Sequence, residues 1–374
     1  MSDREHDNPP QHARPGTTRQ IRVLLVEDAP VERELLRYLL SSDPQLLVAG
    51  VAHDGEEGVA AACRLRPDVI IMDIHMPRLD GFSAARQIME SCPTRIVMVT
   101  ASSQAHEVAE TFRVLEAGAL TVLAKPIGPG SADFAAVASE FIRAIKLMAE
   151  VPVVKRWPHA RSAPPLPPPP PQPAVGGPAD IKLVAIGAST GGPQVLQEIL
   201  SRLPAQLPVP LLIVQHISSG FTAGFAEWLG HATGFPVHIA VHGQLPAAGH
   251  AYVAPDGLHL GVGKDGLLEL SEAAKEHGLR PSVSYLFRSV AAAYGPAAIG
   301  VLLTGMGRDG AQELRAMRQA GAVTIAQDRD SAIVFGMPGA AVQLEAAVHV
   351  LPPAAIAGTI QRLLLSNERS ERHA

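Results

Sequence analysis

Ser189 stands in a glycine-rich turn that follows a run of apolar residues. The segment Gly187-Ala188-Ser189-Thr190-Gly191 has the pattern G-x-S-x-G, and Pro193 opens a predicted helix directly after it. In a strand–turn–helix context the glycines allow a sharp turn that exposes the serine hydroxyl, and amides at the helix start suit an oxyanion. The pattern also arises by chance, in which case the serine is a bystander in a tight turn. The turn alone leaves both interpretations open.

Two further polar residues follow predicted strands in the same half of the chain. His216 comes after the apolar strand Leu211–Val214, and Asp309 comes after the strand Ala297–Leu303. A serine hydroxyl becomes a nucleophile when an imidazole takes its proton, and a carboxylate then fixes the imidazole tautomer. The alternatives are a core histidine at 216 and a helix cap at 309. Weaker histidine candidates lie in a loop-and-hairpin region: His242, His250 and His259. The hairpin insertion is predicted to consist of three short strands: Tyr252–Ala254, His259–Val262 and Leu267–Leu270.

Near the N-terminus, polar residues follow four predicted strands. Since the carboxyl ends of parallel strands meet at one edge of a sheet, these side chains should lie together. Three of them are carboxylates, which repel one another unless a cation lies among them, and oxygen ligands favour Mg²⁺. Each residue taken singly could instead be a turn or cap residue. The residues at these strand ends are Glu27, Asp28, Asp73, Thr100 and Lys125.

Alternating apolar strands and helices in both halves predict two doubly wound, parallel-sheet α/β domains. We place the first domain at 21–150 and the second at 180–365, joined by a proline-rich linker at 151–179. The linker should form an extended polyproline II spacer, with a ligand for a proline-reading domain as the less favoured interpretation. The terminal segments 1–20 and 366–374 are polar and predicted to be disordered.

The composition restricts the class of protein. The chain has 374 residues and a formal net charge of −5, and it shows no basic stripe that would indicate nucleic-acid binding. It contains neither a signal peptide nor an apolar run long enough to span a membrane, so we expect a cytoplasmic protein. Cys63 and Cys92 cannot make a disulfide framework, and we interpret both as packing residues in a reducing compartment.

The first domain resembles a two-component receiver. The resemblance rests on Glu27-Asp28, on Met72-Asp73-Ile74-His75-Met76-Pro77 with Asp80-Gly81, on Thr100-Ala101 and on Lys125-Pro126. It implies phosphorylation of Asp73 by a histidine kinase, and Mg²⁺ held by Glu27, Asp28, Asp73 and the backbone carbonyl of His75, whose side chain should be exposed. It also implies a switch at Thr100 and a Lys125–Pro126 peptide bond that can be cis. The apolar run Leu120–Leu123 replaces the usual aromatic switch residue, and neither Phe112 nor Phe134 obviously substitutes for it.

The second domain closely resembles the catalytic domain of the chemotaxis protein-glutamate methylesterases. The chain order Ser-His-Asp argues against the common α/β-hydrolases, which place the acid before the histidine. Seven ordered motifs carry the resemblance: Gly187 to Pro193, Val214-Gln215-His216, Gly220-Phe221-Thr222, Leu286 to Val290, Thr304 to Gly310, Ala326-Gln327-Asp328 and Phe335 to Pro338. Together with the receiver, the resemblance covers nearly everything from Ile21 to Leu365.

The methylesterase resemblance implies a role for each site residue. Ser189 would be the nucleophile, His216 the general base and acid, and Asp309 the group that orients the imidazole. Backbone amides near His216 and Met306, with help from Thr190, would stabilise the oxyanion, and the esterase chemistry would need no cofactor. The substrate would be a glutamate methyl ester, or a glutamine, on a methyl-accepting chemoreceptor. The receiver would cover the catalytic cleft until Asp73 is phosphorylated.

Three positions depart from the pattern of the methylesterases. Leu279 stands where a histidine usually precedes Arg280-Pro281-Ser282-Val283, and Ser284 stands where an aspartate usually follows that motif. His216 is followed by Ile217-Ser218-Ser219, without the usual Met-Pro. We expect these changes to flank the substrate groove and to affect the choice of receptor.

We therefore predict a monomeric, phosphorylation-activated receptor methylesterase and deamidase that neither binds nucleic acid nor inserts into a membrane. One alternative is a catalytically weak paralogue that acts as a scaffold, which the intact Ser189, His216 and Asp309 disfavour. Another is the same chemistry in a chemosensory pathway that does not control motility. A transcriptional output would require a basic helix-turn-helix after the linker, and the sequence shows none.

Overall fold

The computed structural model describes most of both domains. The described residues leave out residues 152–179 of the linker predicted at 151–179, the N-terminal residues 1–18 and most of the predicted helix at 106–117. Within the described helices, none has both the length and the hydropathy needed to cross a bilayer. The described residues are 19–101, 108–109, 112, 119–126, 128, 130, 134–151, 180–204 and 206–371.

The first domain contains a five-stranded sheet in which all neighbouring strands are parallel. Its strand order is β2-β1-β3-β4-β5, so polar residues after β1, β3, β4 and β5 share one edge. The inner strands β1, β3 and β4 are almost continuously buried, which matches their apolar sequences, whereas the edge strands β2 and β5 are mostly half-buried. The strands are β1 (Ile21–Val26), β2 (Leu46–Ala52), β3 (Val69–Asp73), β4 (Arg95–Thr100) and β5 (Thr121–Ala124).

Four described helices pack on this sheet, and two of them begin at aspartate caps. Asp54 accepts a hydrogen bond from Glu57 N at 2.9 Å, and Asp80 accepts one from Ser83 N at 2.9 Å. Each cap satisfies an amide that has no partner inside the helix, which is why the two Asp-Gly pairs mark helix starts. The helices are α1 (Pro30–Ser41), α2 (Gly55–Leu65), α3 (Gly81–Ser91) and α4 (Phe134–Glu150).

The second domain contains a seven-stranded parallel sheet of order β14-β13-β12-β6-β7-β9-β8 and a separate antiparallel hairpin, β10-β11. The predicted class of two doubly wound α/β domains is confirmed. The elements are β6 (Leu183–Ala188), α5 (Gly192–Leu200), β7 (Leu211–Gln215), α6 (Thr222–Thr233), β8 (Val237–Ile239), β9 (Ala251–Val253), β10 (His259–Val262), β11 (Leu268–Ser271), α7 (Val283–Tyr294), β12 (Ala298–Leu302), α8 (Ala311–Gln319), β13 (Val323–Gln327), α9 (Met337–Gln343), β14 (His349–Leu351) and α10 (Pro353–Glu371).

One sequence prediction about a strand is wrong, and one helix extends beyond the predicted end of the second domain. The strand β9 pairs with β7 in the main sheet and is not part of the hairpin, because Leu211 to Ile213 lie in register with Ala251 to Val253. The helix α10 runs to Glu371 and so enters the segment predicted to be a disordered tail. The buried residues Ile360 and Leu364 anchor this helix.

The two cysteines also contradict the expectation from the sequence. Cys63 in α2 and Cys92 directly after α3 form a disulfide, with their Cα atoms 5.3 Å apart. The helices α2 and α3 pack against each other, and this tertiary contact brings together two cysteines separated by 29 residues. The interpretation of both as free packing residues is therefore wrong.

Reduction of this disulfide should destabilise the first domain. A crosslink across 29 residues restricts the unfolded chain and contributes about 3 to 4 kcal/mol in the chain-entropy description. Calorimetry of the intact protein should show one transition whose midpoint temperature falls by roughly 10 °C or more when dithiothreitol is added. The melting temperature of Cys92→Ser should be lower by the same amount and should not change when dithiothreitol is added. Two titratable thiols in the denatured, unreduced protein would contradict the crosslink.

The two domains contact each other through aromatic rings and a hydrogen bond. Phe112 of the first domain lies 5.3 Å from Trp228 and 5.5 Å from Phe225, ring centroid to ring centroid. Gln194, in the first turn of α5, donates from Nε2 to the carbonyl of Ala119 at 3.1 Å. Both α5 and α6 are thus held against the first domain.

A second contact lies beside the loop that contains Met306. Ile333 and Val334 pack against the apolar core that α1, α4 and the sheet form in the first domain. A cavity of about 460 Å³ separates Lys146 and Leu147 of α4 from Met306 and the adjacent Gly307. The first domain therefore lies over the edge of the second domain at this loop.

Candidate active site and phosphorylation pocket

Ser189 directly follows β6 and is 8% exposed. Its backbone N–H donates to the carbonyl of Thr304 at 3.0 Å, which ties the turn to the loop after β12. Gly191 adopts a left-handed φ of +78°, a conformation that glycine reaches without strain. A Cβ at Gly305 would lie 2.6 Å from Cβ of Ser189, so the absence of a side chain there allows the two loops to approach.

The structure brings His216 and Asp309 together. Nε2 of His216 lies 2.9 Å from Oδ2 of Asp309, and the two side chains are 9% and 2% exposed. The contact has ion-pair distance but lacks the alignment of a hydrogen bond, as is common for catalytic groups without substrate. Because Nε2 faces the carboxylate, Nδ1 is the nitrogen that remains to exchange a proton.

Asp309 is held at the N-terminus of α7. Its Oδ1 accepts from Ser282 Oγ at 2.9 Å and from Ser284 N at 3.0 Å, and its Oδ2 accepts from Val283 N at 2.7 Å. Burial alone would raise the pKa of Asp309, but the contact with His216 and the bonds from Ser284 and Val283 hold that pKa well below its usual range. The carboxylate is therefore ionised at neutral pH.

The backbone limits which amides can face an oxyanion. The N–H of His216 donates to the carbonyl of Ala188 at 2.9 Å, so this amide is engaged in the sheet. The N–H of Met306 has no backbone acceptor among the described residues. The carbonyl of Thr190 accepts from Thr304 Oγ1 at 2.9 Å, which fixes the turn after Ser189. Of these two predicted amides, the Met306 N–H is therefore the one that the described backbone leaves available.

Ser284 and His259 lie behind Asp309, a place that the sequence did not indicate for either residue. Ser284 is fully buried; its Oγ donates to Glu313 at 2.7 Å and accepts from Gly310 N at 2.9 Å. The expectation that Ser284 flanks the substrate groove is therefore wrong. His259 is also fully buried, and its Nδ1 accepts from Ser282 N at 3.2 Å. The one sequence signal for this arrangement is Ser282, because a serine directly before an apolar helix is typical of an N-cap.

The predicted strand-end residues of the first domain also converge. Carboxylate oxygens of Glu27, Asp28 and Asp73 all lie within 4.8 Å of one another. Lys125 Nζ lies 2.9 Å from Glu27 and 3.1 Å from Asp73, and it also pairs with Glu32 of α1, a residue that no sequence motif singled out. Thr100 is buried at the same sheet edge, and His75 is exposed as predicted.

The electrostatics of this pocket suit a hard cation. Burial raises the pKa of Glu27 to about 7 and also raises the pKa of Asp73, in both cases against the effect of Lys125. Buried carboxylates so close together favour a cation that neutralises them, and an all-oxygen set is typical of Mg²⁺. The residues present therefore fit the ion. The Lys125–Pro126 bond is trans, since the cis bond among the described residues is Arg280–Pro281.

The fold and these two sites define a response regulator whose output is a second α/β domain with Ser189, His216 and Asp309 at one edge of its sheet. Family models support both halves: the receiver domain of response regulators matches residues 23–133, and CheB methylesterase matches residues 184–360. The chain belongs to the receiver-containing chemotaxis methylesterases of the CheB family.

Two relatives agree with this assignment over nearly their whole length. A protein-glutamate methylesterase/protein-glutamine glutaminase of Syntrophus aciditrophicus is 52% identical over 92% of this chain and 98% of its own length. One from Geobacter metallireducens is 52% identical over 92% of this chain and 99% of its own. The catalytic domain of the Thermotoga maritima CheB methylesterase is 34% identical with a TM-score of 0.48, and covers 50% of this chain and 100% of that chain.

Proposed function

We propose that this chain is a phosphorylation-activated protein-glutamate methylesterase and protein-glutamine glutaminase of the cytoplasm that acts, as a monomer, on methyl-accepting chemoreceptors. The 2.9 Å contact between His216 and Asp309, at the sheet edge that also carries Ser189, is the observation that carries the proposal. The names of the relatives support the same substrate chemistry.

The chemistry follows from the arrangement of the three side chains. His216 takes the proton of Ser189 Oγ while that oxygen attacks the ester carbonyl, and Asp309 stabilises the imidazolium that forms. The N–H of Met306, with Thr190 as support, stabilises the oxyanion. The C–O bond to methanol breaks as His216 returns the proton to the leaving oxygen. Water, activated by the same imidazole, then releases glutamate and regenerates Ser189. With a glutamine substrate, ammonia leaves in place of methanol.

Methanol release from a methylated chemoreceptor tests this proposal. We expect the wild-type protein to release methanol and Ser189→Ala to release it roughly 10⁶-fold more slowly, because the variant lacks the hydroxyl that attacks the ester. Binding of both proteins to the receptor should be similar, which separates catalysis from recognition. Equal rates for the two proteins would contradict the enzyme and favour the scaffold alternative.

Phosphorylation of Asp73 by a histidine kinase is the proposed control. The pocket supports this because Lys125 lies 3.1 Å from Asp73, where it can pair with a phosphoryl group. Glu27, Asp28, Asp73 and the carbonyl of His75 would hold Mg²⁺, which neutralises charge during phosphoryl transfer. Chelation of Mg²⁺ should abolish stimulation by a small phosphodonor and leave the unstimulated rate unchanged. Stimulation that persists without the metal would contradict its role.

The contacts between the domains support inhibition by docking. The first domain contacts Gln194, close after the Ser189 turn, and faces the loop that contains Met306 across a cavity. Separation of the domains would uncover both, and the predicted extended linker would permit it. We propose domain limits of 21–150 and 180–365 for the two parts that separate.

A further inference from the structure

Gln215 is the last residue of β7 and lies between the candidate nucleophile and the candidate base. Its side-chain nitrogen Nε2 donates to the carbonyl of Ser189 at 2.8 Å and to the carbonyl of His216 at 2.8 Å. The residue is 4% exposed. A single buried amide thus connects the backbones of two residues that must act together.

The partners determine the orientation of this amide. Two carbonyl oxygens can accept hydrogen bonds only, so the NH₂ group must face them. The other atom, Oε1, is buried and has no hydrogen-bond partner within the described residues. A buried acceptor without a partner destabilises a fold by about 1 to 3 kcal/mol, whereas an apolar side chain of the same size would leave no such atom. The two hydrogen bonds that Nε2 donates therefore explain a glutamine at position 215 better than core packing does.

The turn after Ser189 is shaped around the same amide. A Cβ at Gly192 would lie 2.1 Å from Oε1 of Gln215, so only glycine fits beside it. The N–H of Gly192 also donates to the carbonyl of Ser189 at 2.8 Å. That carbonyl therefore accepts from its own turn and from the neighbouring strand.

Regular pairing between the two strands ends at this point. Ala188 is in register with Gln215, and the N–H of His216 makes the final backbone bond, to Ala188, at 2.9 Å. Beyond it, the loops that carry Ser189 and His216 diverge from the ladder. The amide of Gln215 is the link that continues across the gap.

We propose that Gln215 is a positioning residue, which fixes the backbone of Ser189 relative to that of His216 so that the hydroxyl and the imidazole meet at a reactive distance. This inference rests on the proposed esterase function. A displacement of about 1 Å between reacting groups can lower a rate roughly 100-fold, so two 2.8 Å bonds at this place bear directly on turnover.

Two variants of the full-length protein test the inference. Gln215→Met keeps the volume and removes both donors, and Gln215→Glu keeps the shape but turns the donor into an acceptor. Both should lower kcat for methanol release about 100-fold while KM for the receptor changes less than about 2-fold. Labelling of Ser189 by a small fluorophosphonate should slow in parallel, because this reaction needs no receptor. Gln319→Glu, the same chemical change on the exposed face of α8, should retain wild-type kinetics.

The outcomes distinguish three situations. If the wild-type protein releases methanol no faster than Ser189→Ala, the proposed function is wrong and there is no reaction in which Gln215 could act. If wild type exceeds Ser189→Ala but both Gln215 variants retain wild-type kcat and labelling, the positioning role is wrong. In the third situation, the variants lose activity only near their melting temperatures and have full activity when they are assayed well below them. Gln215 would then have a purely structural role, and the inference would be wrong.

Discussion

Asp309→Asn should lower kcat for methanol release by roughly 10⁴-fold. The carboxylate makes two kinds of contact: Oδ2 faces His216 and Val283 N, and Oδ1 faces Ser282 and Ser284 N. An amide has one acceptor and one donor end. Whichever way the substituted side chain lies, its NH₂ group must face at least one N–H donor.

The more damaging orientation changes the tautomer of the imidazole. If the NH₂ group faces His216, it donates to Nε2, and the ring proton moves to Nδ1. Nδ1 then cannot accept the proton of Ser189, so the general base is lost although every atom keeps its place. If the NH₂ group faces Ser284 instead, it opposes a backbone N–H in a buried site, which costs stability.

A matched exchange separates the charge effect from general damage. Asp265→Asn makes the same change in the turn between β10 and β11, where Asp265 accepts from Leu267 N at 3.1 Å. We expect wild-type kinetics for this control, and for Asp309→Asn an unchanged KM with near wild-type binding of the receptor. A kcat within 10-fold of wild type for Asp309→Asn would contradict its role as the group that orients His216.

Sequence reasoning located the residues that follow strands, because strand direction alone brings them to one edge. Asp73 and Lys125, or His216 and Asp309, lie far apart in the chain, yet each pair ends up in contact. Parallel sheets make this outcome predictable without knowledge of any loop.

Contacts that depend on how helices and loops pack could not be predicted in this way. Ser282 and Ser284 reach Asp309 because α7 points its N-terminus at the loop after β12, and no periodicity in either segment specifies that angle. Gln215 belongs to the motif Val214-Gln215-His216, but nothing in that motif specifies that its side chain bonds the carbonyl of Ser189. The pairing of Cys63 with Cys92 likewise depends on how α2 packs on α3.

Phe112→Ala should raise the rate of methanol release without phosphorylation by roughly 10-fold or more. Phe112 is 2% exposed and its ring lies against Trp228 and Phe225 of the catalytic domain. Burial of a phenylalanine side chain contributes about 1.5 to 3 kcal/mol, and about 1.4 kcal/mol is a tenfold change in an equilibrium. If docking of the first domain inhibits Ser189, loss of this contact shifts the protein toward the undocked, active form.

The partner residue offers a test from the other side of the contact. Trp228→Ala should raise the unstimulated rate as well, and the double variant should fall short of the product of the two single effects, because both changes remove one interaction. Tyr38→Ala provides the control, since Tyr38 lies on α1 and is 65% exposed. Its unstimulated rate should equal that of wild type.

Stimulation by a phosphodonor shows whether the variants act through docking. With a small phosphodonor and Mg²⁺, Phe112→Ala should reach about the stimulated rate of wild type, so its ratio of stimulated to unstimulated rate should shrink. Asp73→Asn should keep the low unstimulated rate and lose the stimulation, because it removes the phosphoryl acceptor without altering the aromatic contact. Unstimulated rates that stay at the wild-type level in both Phe112→Ala and Trp228→Ala would contradict inhibition through this interface, and phosphorylation would then have to act on Ser189 by another route.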